Sequence, residues 1–319
     1  MSEAEPILAR DSARSAKNAD AADVVIDLEN RETKLDLTSP SAAPTAAPIP
    51  DVLRRQTVFD LDFVDAPSLE PVIASLLERR KPASPGQLPT VLTPNVDIMM
   101  QLQQSRARGA VEWEMFRRSQ YCLPDGQPII LASQVLGRRL GARLTGSGLF
   151  ASLWPQLVAG RRSVFVVASS DLIAARLTEE YPAAGATVAP MFEATDNTAV
   201  EQLADIVIEA ATEQPLEFVL LGIGNPKDAR IGAAILRNWP TELGRPPHIL
   251  GLGGAASMYV GITKRAPSWV QRIGMEWFYR FCQEPRRLFR RYFVRDVGFV
   301  KLVWRQWRSG NNAGEEAVD

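Results

Sequence analysis

Histidine occurs once in these 319 residues and cysteine twice, as His248, Cys122 and Cys282. One histidine does not make a zinc site, and two thiols do not make a disulfide framework. Both cysteines are therefore expected to pack as small apolar groups in a reducing, cytoplasmic setting. His248 stands inside an apolar run and is expected to be structural. No apolar stretch approaches the ~18 residues needed to span a bilayer, so a membrane role is expected to be peripheral. The segment from Met1 to Arg31 lacks an apolar core and does not read as a signal peptide. The full Gly-x-Gly-x-x-Gly of a dinucleotide fingerprint is missing, leaving Gly222-x-Gly224 as a weak phosphate-loop signal. There is no internal repeat.

What is present is an ordinary globular composition, 46% hydrophobic and 23% charged, with a very uneven charge distribution. From Lys264 to Arg308 twelve cations face three acids, a net +9, although the whole chain carries −1. An acidic body joined to a basic tail implies an anionic partner for the tail.

Four segments follow from composition. Residues 1–50, rich in Ala, Ser, Pro and acids, are expected to be a disordered tail, because they cannot bury enough apolar surface to offset their ordering entropy. Residues 51–263 read as an α/β domain, 264–308 as a basic appendage and 309–319 as a second disordered tail. Within the domain, Val58–Phe63 alternates like a strand. Leu88–Thr93, Gln120–Leu123, Val164–Ala168, Phe218–Leu221 and His248–Leu252 are short apolar runs. Helical patterns at Ser68–Arg79, Val96–Arg108 and Pro128–Leu136 lie between the earlier runs, and Ser170 stands where a helix N-cap belongs. The alternation predicts a Rossmann-like, mostly parallel sheet with helices on both faces. Ligands of such sheets bind at the C-terminal strand ends. Thr93, Asn95, Asp125, Ser169, Gly224 and Gly253 fall there. Asp125, in the turn Pro124-Asp125-Gly126, reads either as a turn residue or as a catalytic carboxylate.

In the tail, Phe289, Phe293, Val297, Val300, Trp304 and Trp307 follow spacings of 4, 4, 3, 4 and 3, which sets them on one helix face. Arginines flank them almost without acidic partners. This predicts a basic amphipathic helical appendage that rests on an anionic membrane surface. Nucleic acid is the poorer partner, since an amphipathic stripe suits a bilayer better than a groove.

Several phrases together resemble the WecG/TagA/CpsF glycosyltransferases. They are Thr93-Pro94-Asn95, Pro124-Asp125-Gly126, Arg143-Leu144-Thr145-Gly146, Gly222-Ile223-Gly224-Asn225-Pro226-Lys227 and Gly251-Leu252-Gly253-Gly254. The block from Lys264-Arg265-Ala266-Pro267 through Gly274-Met275-Glu276-Trp277 to Arg291-Tyr292 closes the series. The resemblance implies an inverting transfer of a sugar from a nucleotide-sugar donor, a UDP-sugar by expectation, to a polyprenyl-diphosphate-linked saccharide in exopolysaccharide or other cell-surface polysaccharide synthesis. It assigns Asp125 as general base, with Thr93 and Asn95 as the polar pair beside it. It places Arg143, Gly146, Gly224, Pro226, Lys227, Asp228, Gly253, Gly254 and Arg265 around the donor. Arg280, Arg286, Arg287, Arg290 and Arg291 belong, on this resemblance, to the part that meets the acceptor diphosphate and the membrane. No metal or cofactor is expected, because arginines and helix N-termini can stabilise a departing diphosphate.

Two departures stand out. Asp228-Ala229 replaces the family's common Gln-Glu after Pro-Lys, and Ser257 replaces a common aspartate. They motivate a competing expectation, a catalytically inactive, membrane-docked member of a polysaccharide assembly complex. A homo-oligomer is left open.

Overall fold

The computed structural model describes residues 53–82, 84–263 and 298–309. The two expected disordered tails, apart from Ser309, and the appendage up to Val297 lie outside the described residues.

The chain begins with β1 (Arg55–Val58) and β2 (Leu61–Val64), then α1 (Glu70–Leu77), β3 (Leu88–Leu92), α2 (Val96–Ala107), α3 (Val111–Arg117) and β4 (Ser119–Cys122). It continues through α4 (Gln127–Val135), α5 (Gly146–Ala159), β5 (Val164–Ala168), α6 (Asp171–Glu180) and β6 (Gly185–Val188). It then forms α7 (Asn197–Glu213), β7 (Phe218–Leu221), α8 (Lys227–Asn238), β8 (His248–Gly251) and α9 (Ala255–Tyr259). A last helix, α10, covers residues 298–309. Among the described residues eight strands form one sheet, in the order β1-β2-β4-β3-β8-β7-β5-β6. Only the β1–β2 pair is antiparallel.

Successive residues of a strand point to opposite faces, and the core divides accordingly. Val164, Val166, Ala168, Phe218, Leu220 and Leu250 pack against α1, α5, α6 and α9. On the other face Phe165, Val167, Val219, Leu221 and Ile249 pack against α7 and α8. A neighbouring cluster joins Leu61, Phe63, Leu92 and Cys122 to α2, α3 and α4. Both faces are covered, which is why these strands read as continuous apolar runs rather than alternations.

The segment 58–63 differs from its expected single strand. Phe59 and Asp60 both adopt left-handed φ, 54° and 58°, and turn the chain into the β1–β2 hairpin. Two left-handed residues suit a two-residue hairpin turn, although glycine or asparagine takes them more readily. Contacts from the far end of the chain hold this one. Phe59 packs on Phe299 with ring centroids 5.4 Å apart, and its N–H donates to Gln306 Oε1 at 3.1 Å. Asp60 pairs with Arg106, and Asp62 pairs with Arg55 at 2.9 Å.

Helix α10 thus docks through Phe299, Leu302, Val303 and Gln306, an i, i+3, i+4, i+7 face. The stripe expected from Val300, Trp304 and Trp307 points the other way, with these residues 66%, 52% and 45% exposed. Ser309, expected to open a disordered tail, still belongs to the helix.

Candidate active site

From β3 the chain steps outward to β4, and from β5 it steps outward in the opposite direction to β6. The helices that follow therefore lie on opposite faces, and a crevice opens between them at the C-terminal strand ends. A cleft of about 390 Å³ occupies this position, above β4, β3, β8 and β7.

Backbone hydrogen bonds set its left wall. The exits of β3 and β4 are tied by Leu123 N–H to Leu92 O at 2.9 Å and Asp125 N–H to Pro94 O at 3.1 Å. Pro94 and Pro124 donate no hydrogen bond and stop the strands from pairing further. The side chain of Asp125 turns to the start of α5, where its Oδ2 accepts the Gly146 N–H at 3.2 Å. Thr145 caps the same helix, with Oγ1 accepting the Gly148 N–H at 3.0 Å. A carboxylate at this position benefits from the positive end of a 14-residue helix. Asn95 Oδ1 accepts the Ile98 N–H at 3.1 Å and caps α2, so Nδ2 is the donor it has to offer a ligand.

Gly146 is where Thr93 and α5 meet most closely. A Cβ added there would lie 2.8 Å from Thr93 Oγ1. Gly146→Ala is therefore expected to push Thr93 or the helix start aside, destabilise by roughly 1–3 kcal/mol and abolish most turnover. Chemical denaturation beside a transfer assay checks this, and an alanine variant with unchanged turnover contradicts it.

The right wall is made by the loops after β7 and β8, and Asp228 organises both. It is 4% exposed, with Oδ1 accepting the N–H groups of Ile223 at 3.1 Å and Gly224 at 3.0 Å. Its Oδ2 accepts the Gly253 N–H at 3.0 Å. Gly224 and Gly253 have φ of +101° and +52°, and an added Cβ on Gly253 would lie 3.6 Å from Gly224 Cα. Both positions favour glycine for their backbone angles, while the 3.6 Å approach is ordinary van der Waals contact. Burial pushes the Asp228 carboxyl up to about 7, a shift that the three N–H donors and Lys227 only partly offset.

The expected residues thus divide. Thr93, Asn95, Asp125, Gly146, Gly224, Asp228, Gly253 and Gly254 converge on the cleft. Arg143, Pro226 and Lys227 do not line it, and neither does Ser169. Lys227 Nζ instead lies 4.4 Å from the centre of the Phe192 ring, and Pro226 sits at the N-terminal end of α8. Arg265, Arg280, Arg286, Arg287, Arg290 and Arg291 lie outside the described residues. Sequence reasoning passed over Asp97, Gln101, Phe116, Ser147, Asn225 and Met258 as lining residues. Asn225 had a usable signal, a polar residue between a strand-end glycine and a proline. The others sit on helices and face the cleft only through packing. The chain's single Asp-x-Asp, at Asp60 and Asp62, belongs to the hairpin and is not part of the cleft lining.

His248 and Cys122 are fully buried and also stand apart from the cleft lining. The His248 ring lies 6.0 Å from both Tyr121 and Phe218, in keeping with its expected structural place. Burial, reinforced by the Arg245 and Arg79 charges, drives its pKa down to about 3. Burial pushes the Cys122 thiol far up.

A doubly wound α/β sheet with a carboxylate held at its switch-point crevice defines a class of ligand-transforming α/β proteins. Within that class the chain belongs to the Glycosyl transferase WecG/TagA/CpsF family, whose family model matches residues 56–313. It is 26% identical over 179 residues to the N-acetylglucosaminyldiphosphoundecaprenol N-acetyl-beta-D-mannosaminyltransferase of Bacillus subtilis (strain 168). That match spans 55% of this chain and 65% of the relative, just under two thirds of its length. The protein of the same description from Bacillus spizizenii (strain ATCC 23059 / NRRL B-14472 / W23) is 24% identical over 239 residues, covering 74% of this chain and 86% of the relative.

Proposed function

We propose that the protein is an inverting glycosyltransferase of cell-surface polysaccharide synthesis. It moves a sugar from a nucleotide-sugar donor, a UDP-sugar on this reading, to a polyprenyl-diphosphate-linked saccharide. The observation that carries the proposal is Asp125, held at the cleft by the first N–H of α5. Its carboxylate takes the proton of the acceptor hydroxyl as that oxygen bonds to the anomeric carbon. The bond from that carbon to the nucleotide diphosphate breaks, and the diphosphate leaves with the electron pair. Thr93 and Asn95 orient the attacking group. Membership of the family and the substrates named for both relatives support this reading.

Charge bears on where the diphosphate sits. Among the described residues the charged side chains lining the cleft are Asp97, Asp125 and Asp228, all acidic. Cations for the leaving group must come from beyond this wall. On our proposal Arg265, Arg280, Arg286, Arg287, Arg290 and Arg291 supply them, with Arg143 and Lys227 at the margin.

Transfer from a panel of UDP- and GDP-sugars to a polyprenyl-diphosphate saccharide, with and without chelator, is the test. Transfer from a UDP-sugar with inversion is expected. No transfer from any donor would favour the competing reading, an inactive docking protein.

Among the described residues no helix is long and apolar enough to cross a membrane. Peripheral attachment at the cytoplasmic face, the proposed location, is supported by the outer face of α10. There Val300, Trp304 and Trp307 are exposed beside Lys301, Arg305 and Arg308, and the Arg308 guanidinium lies 4.4 Å from the centre of the Trp304 ring. Such a surface matches acyl chains and anionic head groups together. The double variant Trp304→Ser, Trp307→Ser is expected to lose most flotation with phosphatidylglycerol vesicles and to keep its melting temperature. Unchanged flotation would remove α10 from the membrane contact.

A further inference from the structure

The loop after β7 is firmly held. Gly222 N–H donates to Val167 O at 2.9 Å, and Asp228 takes the next two N–H groups. The Asp228 N–H closes the loop on Gly224 O at 3.1 Å. Yet Asn225, which this loop carries into the cleft wall, has both Oδ1 and Nδ2 buried without a hydrogen-bond partner. Among the described residues, no other buried side-chain atom left in that state belongs to a residue lining the cleft. Native proteins rarely bury an amide unpaired, because the lost hydration is not recovered. A slack loop would offer an easy explanation, but this loop is held through the N–H groups of Gly222, Ile223, Gly224 and Asp228. The space before it is also bare, since a Cβ added to Gly224 or Gly254 would meet nothing within 4 Å.

We infer that Asn225 is a donor-specificity residue whose side-chain amide pairs with a planar group presenting an acceptor beside a donor. This rests on the proposed donor reading and deepens it. In a UDP-sugar the imide of the uracil ring has that edge, whereas a trans acetamido group points its N–H and C=O in opposite directions. A primary amide matches the imide, with Nδ2 donating and Oδ1 accepting. The fold supplies the amide with no protein partner and the ligand supplies one, so function and stability oppose each other at this residue.

The test compares wild type, Asn225→Leu and Asn225→Asp by thermal shift and calorimetric titration with UDP, CDP, UDP-glucose and UDP-N-acetylglucosamine. Leucine keeps the volume and removes both polar atoms; aspartate keeps an acceptor and removes the donor. The expected result is a leucine variant that melts no lower than wild type without ligand yet binds its ligand about ten-fold more weakly, roughly one hydrogen-bonded pair. Equal loss for UDP and both UDP-sugars assigns the amide to the uracil ring. Loss confined to the advantage of UDP-N-acetylglucosamine over UDP-glucose would overturn that assignment. A leucine variant that melts lower and binds all four ligands as wild type does would overturn the inference and make Asn225 structural. Wild type that binds none of the four overturns this inference together with the UDP-sugar reading. Asp125→Asn serves as the separate control, because it is expected to bind donor normally while losing turnover.

Discussion

Asp125→Asn is expected to lower kcat by about 10²–10⁴-fold, the usual contribution of a positioned general base. Its effect on KM and on folding should be small. Asparagine keeps a side-chain oxygen where Asp125 Oδ2 accepts the Gly146 N–H, so that structural contact survives. What disappears is the capacity to hold a proton. A binding or folding defect would instead raise KM or lower the melting temperature, so the split between kcat and KM identifies the role. Asp97 is the natural control. It lies on the same cleft and accepts from Gln101 Nε2 at 3.1 Å within the first turns of α2. Asp97→Asn should cost far less turnover; the reverse ranking would move the base from Asp125 to Asp97.

The second large effect concerns two buried groups whose proton affinities shift in opposite directions. Asp228 in the folded state has its pKa raised to about 7 from 3.8, so between these values the native state binds a proton that the unfolded state has released. Its contribution to stability is complete below pH ~4 and is lost as pH rises through 7. His248 has its pKa lowered to about 3 from 6.5, so in much the same window the unfolded state binds a proton that the native state refuses. Its contribution is complete above pH ~6.5 and is lost as pH falls toward 3. Together they nearly cancel from about pH 4 to 6.5. Separated, each gives a slope of about 1.4 kcal/mol per pH unit. Asp228→Asn should therefore make stability rise with pH relative to wild type, and His248→Phe should make it fall. Urea unfolding at pH 4.5, 5.5 and 6.5 reads both slopes, and differences from wild type remove the titrations common to all three proteins. Parallel curves for the three would show that neither shift exists.

Asp228 also shows how far residue patterns reach. The family resemblance places it, after Pro226-Lys227, near the donor, and the fold brings it to the cleft. The pattern does not reveal that its carboxylate is consumed by Ile223, Gly224 and Gly253. Gly253 is 25 residues away along the chain, and only the pairing of β7 with β8 brings the two loops together. Asn225 belongs with it. An unpaired amide is a property of everything around a side chain, and no local spacing encodes it.

Local chemistry determined a good deal without help. Buried strands such as Val164–Ala168 and Phe218–Leu221 announce themselves because both faces of the sheet are covered. Pro94 and Pro124 mark where strands must stop, and so place Thr93, Asn95 and Asp125 at one end of the sheet. Ser170 caps α6 as its sequence position implies. By contrast, β6 is a four-residue edge strand whose residues are all only partly buried, which leaves little apolar signal to read.

Tertiary structure decided the rest wherever two distant segments compete for the same atoms. Val58–Phe63 alternates well enough to be one strand, yet contacts from Phe299, Gln306 and Arg106 favour a turn at Phe59–Asp60. Periodicity identified amphipathic character in α10, but two apolar faces were available to it. Docking on the hairpin used Phe299, Leu302 and Val303 and left Val300, Trp304 and Trp307 outside. Sequence periodicity specifies which residues share a face; which face is buried depends on the partner surface, and that exists only once the chain has folded.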